Sequence, residues 1–220
     1  KNLYHLLQDS GEQMALDPED VASLAVSPWI RYLWGHLHER QGNTGKALEH
    51  YLSVLEDLPR DPWVHLRTGI LQEQQGKQEQ ALFHYKIASD VYPDSFRILF
   101  RRSIVTMNLL QEEESIHIHL KMIELRPEHA LSLNNLAWIY LTAKDRILRQ
   151  PEKALELALK SVELEPTIDH IDTLAEAYFQ TGQTAKAIET LRKGIREASY
   201  PKSRERYLEG QYRRFRKGDT

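Results

Sequence analysis

The chain has 220 residues, 41% of them apolar and 28% charged, with ten histidines, no cysteine and a net charge of −3. That length suffices for a large buried interior, either as one domain or as a repeat array, and the near-neutral balance offers no basic field to nucleic acid or to an anionic membrane surface. Without cysteine there is no disulfide, thiolate metal site or cysteine nucleophile, and no apolar run approaches the ~18 residues a membrane-spanning helix needs.

The sequence begins at Lys1 with neither an initiator methionine nor an apolar leader, the expectation being a segment trimmed from a longer, anchored or secreted chain. Its compartment is left open, cytoplasmic or periplasmic. In residues 1–27, Leu3, Leu6 and Leu7 share a helical face, and Asp17-Pro18-Glu19-Asp20 reads as a helix start, with a capping side chain, a first-turn proline and acids where the helix dipole favours them. This segment is the remnant of a preceding repeat, an N-terminal cap, or a segment folded back into the chain's own groove, and the cap is the favoured reading.

From residue 28 one pattern is written twice at an interval of 34. Gly35 recurs as Gly69, Gly42 as Gly76, Ala47 as Ala81, Tyr51 as Tyr85 and Pro59 as Pro93, and each copy opens on Pro-Trp, at Pro28-Trp29 and Pro62-Trp63. Each copy predicts two helices, with Ser27 or Asp61 as N-cap, a glycine closing the first helix and a proline ending the second. Residues 96–129 keep the length and Pro127 but place Ser103 and Leu110 at the glycine positions, Ser115 at the alanine and His119 at the tyrosine. Arg102 stands where an apolar residue is usual, so this copy is expected to pack least well, and Glu112-Glu113-Glu114 reads as a solvated start to its second helix. Residues 130–167 carry Asn134–Tyr140 in the first helix, a longer loop centred on Lys144–Gln150, and a second helix from Pro151 to Pro166. Residues 168–201 restore the pattern with Ala175, Tyr178, Gly182, Ala187 and Leu191. Residues 202–220 predict one more amphipathic helix, with Tyr207, Leu208, Tyr212 and Phe215 inward and Arg204, Arg206, Arg213, Arg214, Arg216 and Lys217 facing out.

A fixed period of this length, with small residues inside helical stretches, means stacked helix pairs, and these residues resemble the tetratricopeptide repeat in its bacterial multi-repeat form. The resemblance implies an all-α, right-handed α-solenoid of helix–turn–helix repeats (28–61, 62–95, 96–129, 130–167 and 168–201) between an N-terminal cap over 1–27 and a C-terminal capping helix over 202–220. It also implies that repeat positions two, five, nine and twelve or thirteen of each first helix line a concave groove. From repeat to repeat these are Trp29, Tyr32, His36, Glu39 and Arg40; Trp63, Leu66, Ile70, Glu73; Arg97, Phe100, Ile104, Asn108; Leu131, Asn134, Trp138, Leu141; and Asp169, Asp172, Glu176, Phe179.

No constellation predicts catalysis. There is no glycine-rich phosphate loop, and no cofactor is expected. His36 and His38, like His117 and His119, are two apart and fall on different sides of a helix, while His50 and His84 are expected to stack on the outer face of adjacent repeats without a third ligand. No metal is expected. The reading is therefore a non-enzymatic interaction scaffold that takes a peptide or helix of a partner protein in its groove. Its contact residues are Tyr32, His36, Trp63, Phe100, Asn134, Trp138 and Phe179, and Arg97 and Arg101 select an acidic group. The lysine and asparagine of chaperone-tail clamps are missing beside those arginines. The alternatives are a regulatory or targeting segment of a larger enzyme or secretion machine, and a self-assembling oligomer. Neither nucleic acid nor direct membrane insertion is expected.

Overall fold

Helix starts and stops follow the punctuation of the chain. A computed structural model describes residues 27–218, and among these every regular element is helical. The expected N-terminal cap therefore lies outside the described residues. The helices pair as α1 (Pro28–Arg40) with α2 (Thr44–Asp57), α3 (Pro62–Gln74) with α4 (Gln78–Val91), α5 (Phe96–Asn108) with α6 (Glu112–Leu125), α7 (Ala130–Thr142) with α8 (Pro151–Leu164), and α9 (Ile168–Gln180) with α10 (Thr184–Glu197), followed by α11 (Lys202–Lys217). Proline occupies the first turn of α1, α3 and α8, where its missing N–H is no loss. Asp61 accepts from the N–H groups of Trp63 and Val64 at 3.0 and 2.9 Å, whereas Ser27 sits at the equivalent position without a side-chain cap bond.

In four of the five pairs the two helices reverse through a residue in the left-handed conformation. Gly42, Gly76 and Gly182 take φ of +76, +74 and +77°, but the third pair makes the same turn with Leu110 at +54°. A β-carbon there costs about 1–2 kcal/mol, and the leucine is 59% exposed. Within a pair, Gly35 and Gly69 let the ring of the second helix's tyrosine lie on the first helix's backbone. A Cβ built on Gly69 would stand 2.6 Å from the Tyr85 ring. The glycine is needed only where tyrosine is opposite: at the corresponding positions the later pairs hold Ser103 with His119, Ala137 with Ala158, and Ala175 with Leu191.

The third pair is held by polar groups where its apolar signature fails. Its buried apolar centre is Leu99, Ile118 and Met122. Ser115 donates to Thr106 at 2.9 Å, both buried. Arg102 is half-buried, bonding Glu114 at 2.8 and 3.0 Å and the Ser89 hydroxyl at 2.8 Å, so it ties this pair to the one before. The acidic run is not simply solvated. Glu112 accepts from the Lys144 N–H at 2.8 Å, and Glu114 also pairs with Lys86. Against the cost of burial, the bonds from Lys86 and Arg102 hold the Glu114 carboxyl below its usual range. The long loop of the fourth pair is anchored at its ends, with the Gln150 N–H donating to the Tyr140 carbonyl and Arg149 Nε to that of Ala143.

The histidines also differ from expectation. His84 is buried and meets His65, Nδ1 to Nδ1 at 2.7 Å, while His65 Nε2 lies 3.0 Å from the Pro59 carbonyl. That carbonyl can only accept, so His65 Nδ1 is the acceptor and His84 Nδ1–H the donor. His50 instead stacks on His38 at 5.5 Å. The two do not stack on each other, because each takes the histidine offered by its own repeat's first helix.

Candidate partner-binding site

The first helices α1, α3, α5, α7 and α9 form one wall, and side chains cross it from α1 to α3, from α3 to α5 and from α7 to α9. Tyr51 donates to Glu39 at 2.7 Å and Arg67 donates to the same carboxylate at 3.1 Å. One repeat later Tyr85 donates to Glu73 at 2.6 Å, and Arg101 stands 3.6 Å from it. Burial, then the neighbouring carboxylate, raises both tyrosine pKa values above their usual level. Three residue types recurring at the 34-residue interval thus build a charge ladder between α1, α3 and α5. The ladder was not foreseen from the sequence, although the recurrence was its signal. Gln180 continues the linkage from α9 to the Leu141 carbonyl of α7 at 3.2 Å.

Against this wall the expected contact residues divide into three groups. Exposed rings come first: Trp29 is 63% exposed and stacks on Tyr32 at 5.6 Å, and Trp63 is 47% exposed and leans on Tyr92 at 5.8 Å. Tyr32 rests in turn on Tyr51 at 5.7 Å and is half-buried. Phe100 is half-buried too, in a ring cluster with Phe96 and His129.

Polar groups form the second set. His36 Nδ1 lies 3.9 Å from Glu39, too far for a hydrogen bond, and is buried without one among the described residues. Arg97 is exposed and forms no ion pair among the described residues. Arg101 was expected to be as available as Arg97, but Glu73 already holds it. Asn134 is 7% exposed, and its buried Oδ1 has no hydrogen-bond partner among the described residues. One turn further along α7, Trp138 is half-buried and lines a pocket of about 100 Å³ with Met107, Leu110, Ser115 and Thr142. Trp138 was expected from the sequence but Met107 and Leu110 were not, because the pocket arises only where α5, α6 and α7 meet.

Phe179 stands alone in the third. It was expected on the open wall but is 5% exposed, with the Phe215 ring 4.7 Å away. Nor is the C-terminal end of the wall an open acidic surface, since Asp172 and Glu176 are buried and paired with Arg204 and Arg214 of α11. Those two arginines were expected to face out. They flank the Leu208–Phe215 stripe instead, and the buried carboxylates draw them in.

Among the described residues no three His, Cys, Asp or Glu side chains converge as a metal site, and no helix is long and apolar enough to cross a membrane.

Two family models described as tetratricopeptide repeat match the sequence, over residues 32–96 and 172–199. No curated protein sequence matches it. Among solved structures the chain is similar to YrrB, whose structure is titled a TPR protein with an unusual peptide-binding site, at 15% identity and a TM-score of 0.70, covering 80% of this chain and 89% of that one. It is similar to MamA at 19% identity and a TM-score of 0.67, covering 77% and 90%. For TTC0263, a thermophilic TPR protein of Thermus thermophilus, the figures are 18% and 0.52, covering 86% and 98%. Repeating helix pairs, the glycine–tyrosine contacts within them and these matches together identify the chain as a tetratricopeptide-repeat protein, a helical solenoid of the kind that serves as a scaffold for protein–protein interaction.

Proposed function

We propose that the chain binds, without catalysing a reaction, an extended peptide or an amphipathic helix of a partner protein along the wall of first helices from Trp29 and Tyr32 to Trp138. The observation that carries this reading is the exposure of Trp63, 47% open on a rigid helix at the position where Trp29 stands one repeat earlier. Large rings left in water on a rigid surface gain most when a partner covers them, and such residues dominate binding energy at interfaces. Arg97 favours an acidic residue in the ligand, Asn134 Oδ1 awaits a donor such as a peptide N–H, and the Trp138 pocket suits one apolar anchor side chain. The peptide-binding site named for YrrB is a property of that protein, but it supports looking for a peptide here.

The test is peptide selection on the full chain, with dissociation constants measured for wild type, Trp138→Ala, Trp63→Ala and Arg97→Glu. Selected peptides should be acidic with one apolar anchor. Truncating a central ring should weaken them at least tenfold, about 1.4 kcal/mol, and the Arg97 change should act most at low salt. Equal affinity for all four proteins would remove the wall as the binding surface.

A further inference from the structure

The wall changes character where the third repeat meets the fourth. Met107 stands where the earlier repeats have Glu39 and Glu73, Trp138 where they have His36, Ile70 and Ile104, and Leu110 where they have Gly42 and Gly76. The charge ladder therefore ends, and the three apolar side chains meet around the pocket of about 100 Å³ between α5, α6 and α7. Leu110 is the strained member. Its φ of +54° lies in the left-handed region, where three other turns use glycine. Burial does not offset that strain, because the side chain is 59% exposed. Polar groups of the lining are partnered within the chain. Ser115 donates to Thr106 and Thr106 to the Ser103 carbonyl, Thr142 donates to the Trp138 carbonyl, and Glu112 accepts from the Lys144 N–H.

We infer, building on the peptide-binding wall proposed above, that Leu110 is a specificity-determining residue. With Trp138 it closes the rim of a pocket that takes one aliphatic side chain of the partner, leucine, isoleucine or methionine. Ligands of drug size fill roughly 300–1,000 Å³, so this pocket suits a side chain and not a free small molecule. An apolar cavity of about 150 Å³ takes a benzene ring, so about 100 Å³ holds an aliphatic chain and rejects an aromatic one. With Ser115, Thr106, Thr142 and Glu112 already bonded, a polar side chain would lose its water there without replacement. An aliphatic one covers Met107, Leu110 and Trp138. Backbone strain that brings no burial marks a place where the exposed side chain is itself used. Glycine at position 110, as in the other turns, would leave the pocket open on that side and remove the preference.

Phage-displayed random peptides, selected on the full chain and then measured as synthetic peptides, test the assignment. Wild type should return peptides that share a leucine, isoleucine or methionine. Such a peptide should bind Leu110→Gly about tenfold more weakly, and most of that difference should vanish when its aliphatic residue is alanine. Leu110→Met keeps an apolar rim and should hold affinity near the wild-type value. Leu110→Gly relieves the left-handed strain, so its melting temperature should not fall, which separates a lost contact from a lost fold. Should it fall, the alanine comparison still decides, because a damaged fold weakens both peptides alike. Peptides that share no aliphatic residue, or that bind Leu110→Gly as tightly as wild type, overturn the assignment; if Trp63→Ala weakens those same peptides, the wall reading survives without it. A selection that returns no binder removes both.

Discussion

Replacing Gly69 with alanine reverses what the same change does in an ordinary helix. At an open helical site the methyl group stabilises by about 0.5–1 kcal/mol, chiefly because glycine is freer when unfolded. At Gly69 the new Cβ would lie 2.6 and 2.9 Å from two carbons of the Tyr85 ring. That ring is fully buried, and its hydroxyl is tied to Glu73 at 2.6 Å, so it cannot swing aside. Overpacking of this kind costs about 1–3 kcal/mol, which leaves a net loss of up to about 2.5 kcal/mol after the favourable term. For a chain of this size that lowers the melting temperature by up to about 10 °C. Circular-dichroism melts and urea titrations of Gly69→Ala measure it. Gly210→Ala serves as the control, because nothing lies within 4 Å of its Cβ position; it should be neutral or stabilising. Tyr85→Leu in the Gly69→Ala background copies the pairing the fifth repeat already uses, Ala175 with Leu191. The double mutant should therefore be more stable than the sum of the two single changes. A Gly69→Ala protein as stable as the control, with additive single effects, refutes the idea that ring and backbone compete for one space.

Asp61→Ala removes the acceptor for the Trp63 and Val64 N–H groups and should cost about 1 kcal/mol by urea titration, whereas Ser27→Ala, at a cap that makes no side-chain bond, should cost less. Acid should weaken the fold well before most carboxylates titrate. Burial holds both His84 and His119 down to about 4 from 6.5, so between those values the unfolded chain binds more protons. Their contribution is full above pH 6.5 and is lost as pH falls toward 4, on the order of 2–3 kcal/mol each. Burial of Asp172 pushes its carboxyl up to about 6, and that single group runs the other way, gaining stability as it takes up a proton below pH 6. Two histidines outweigh one carboxyl, so the urea midpoint should fall steadily from pH 6.5 to 4.5, and a flat profile over that window contradicts the burial argument. Finally, Glu114→Gln weakens the pairing with Arg102 and Lys86 that ties the third repeat to the second; it should lower stability measurably, and more at low salt than at high.

The repeat period, the all-helical character and the turns were legible in the residues because each is local or recurs at a fixed interval, whereas the recurring glycines and tyrosines met only in the packed pair. Proline can begin these helices and end the preceding ones, glycine is the cheapest residue at φ near +75°, and a small residue must face a large ring. The third repeat shows the limit of such reading. Its lost signature was plain, yet the replacements were not, since Arg102 finds Glu114 and Ser89 only after helices from two repeats are packed together. Of the candidate contact residues, Trp63 and Arg97 are exposed, Arg101 stands beside Glu73, and Phe179 is covered by Phe215, an arrangement set by packing between helices.

What followed from order along the chain was the unit, its length and the face each side chain takes on its own helix. What required the assembled helices was which of those faces stays in water. The arginines of α11 make the point: as residue types they belong outside, but the buried carboxylates of Asp172 and Glu176, far away in sequence, draw Arg204 and Arg214 inward. A charge goes where its countercharge lies, and only packing brings the two together.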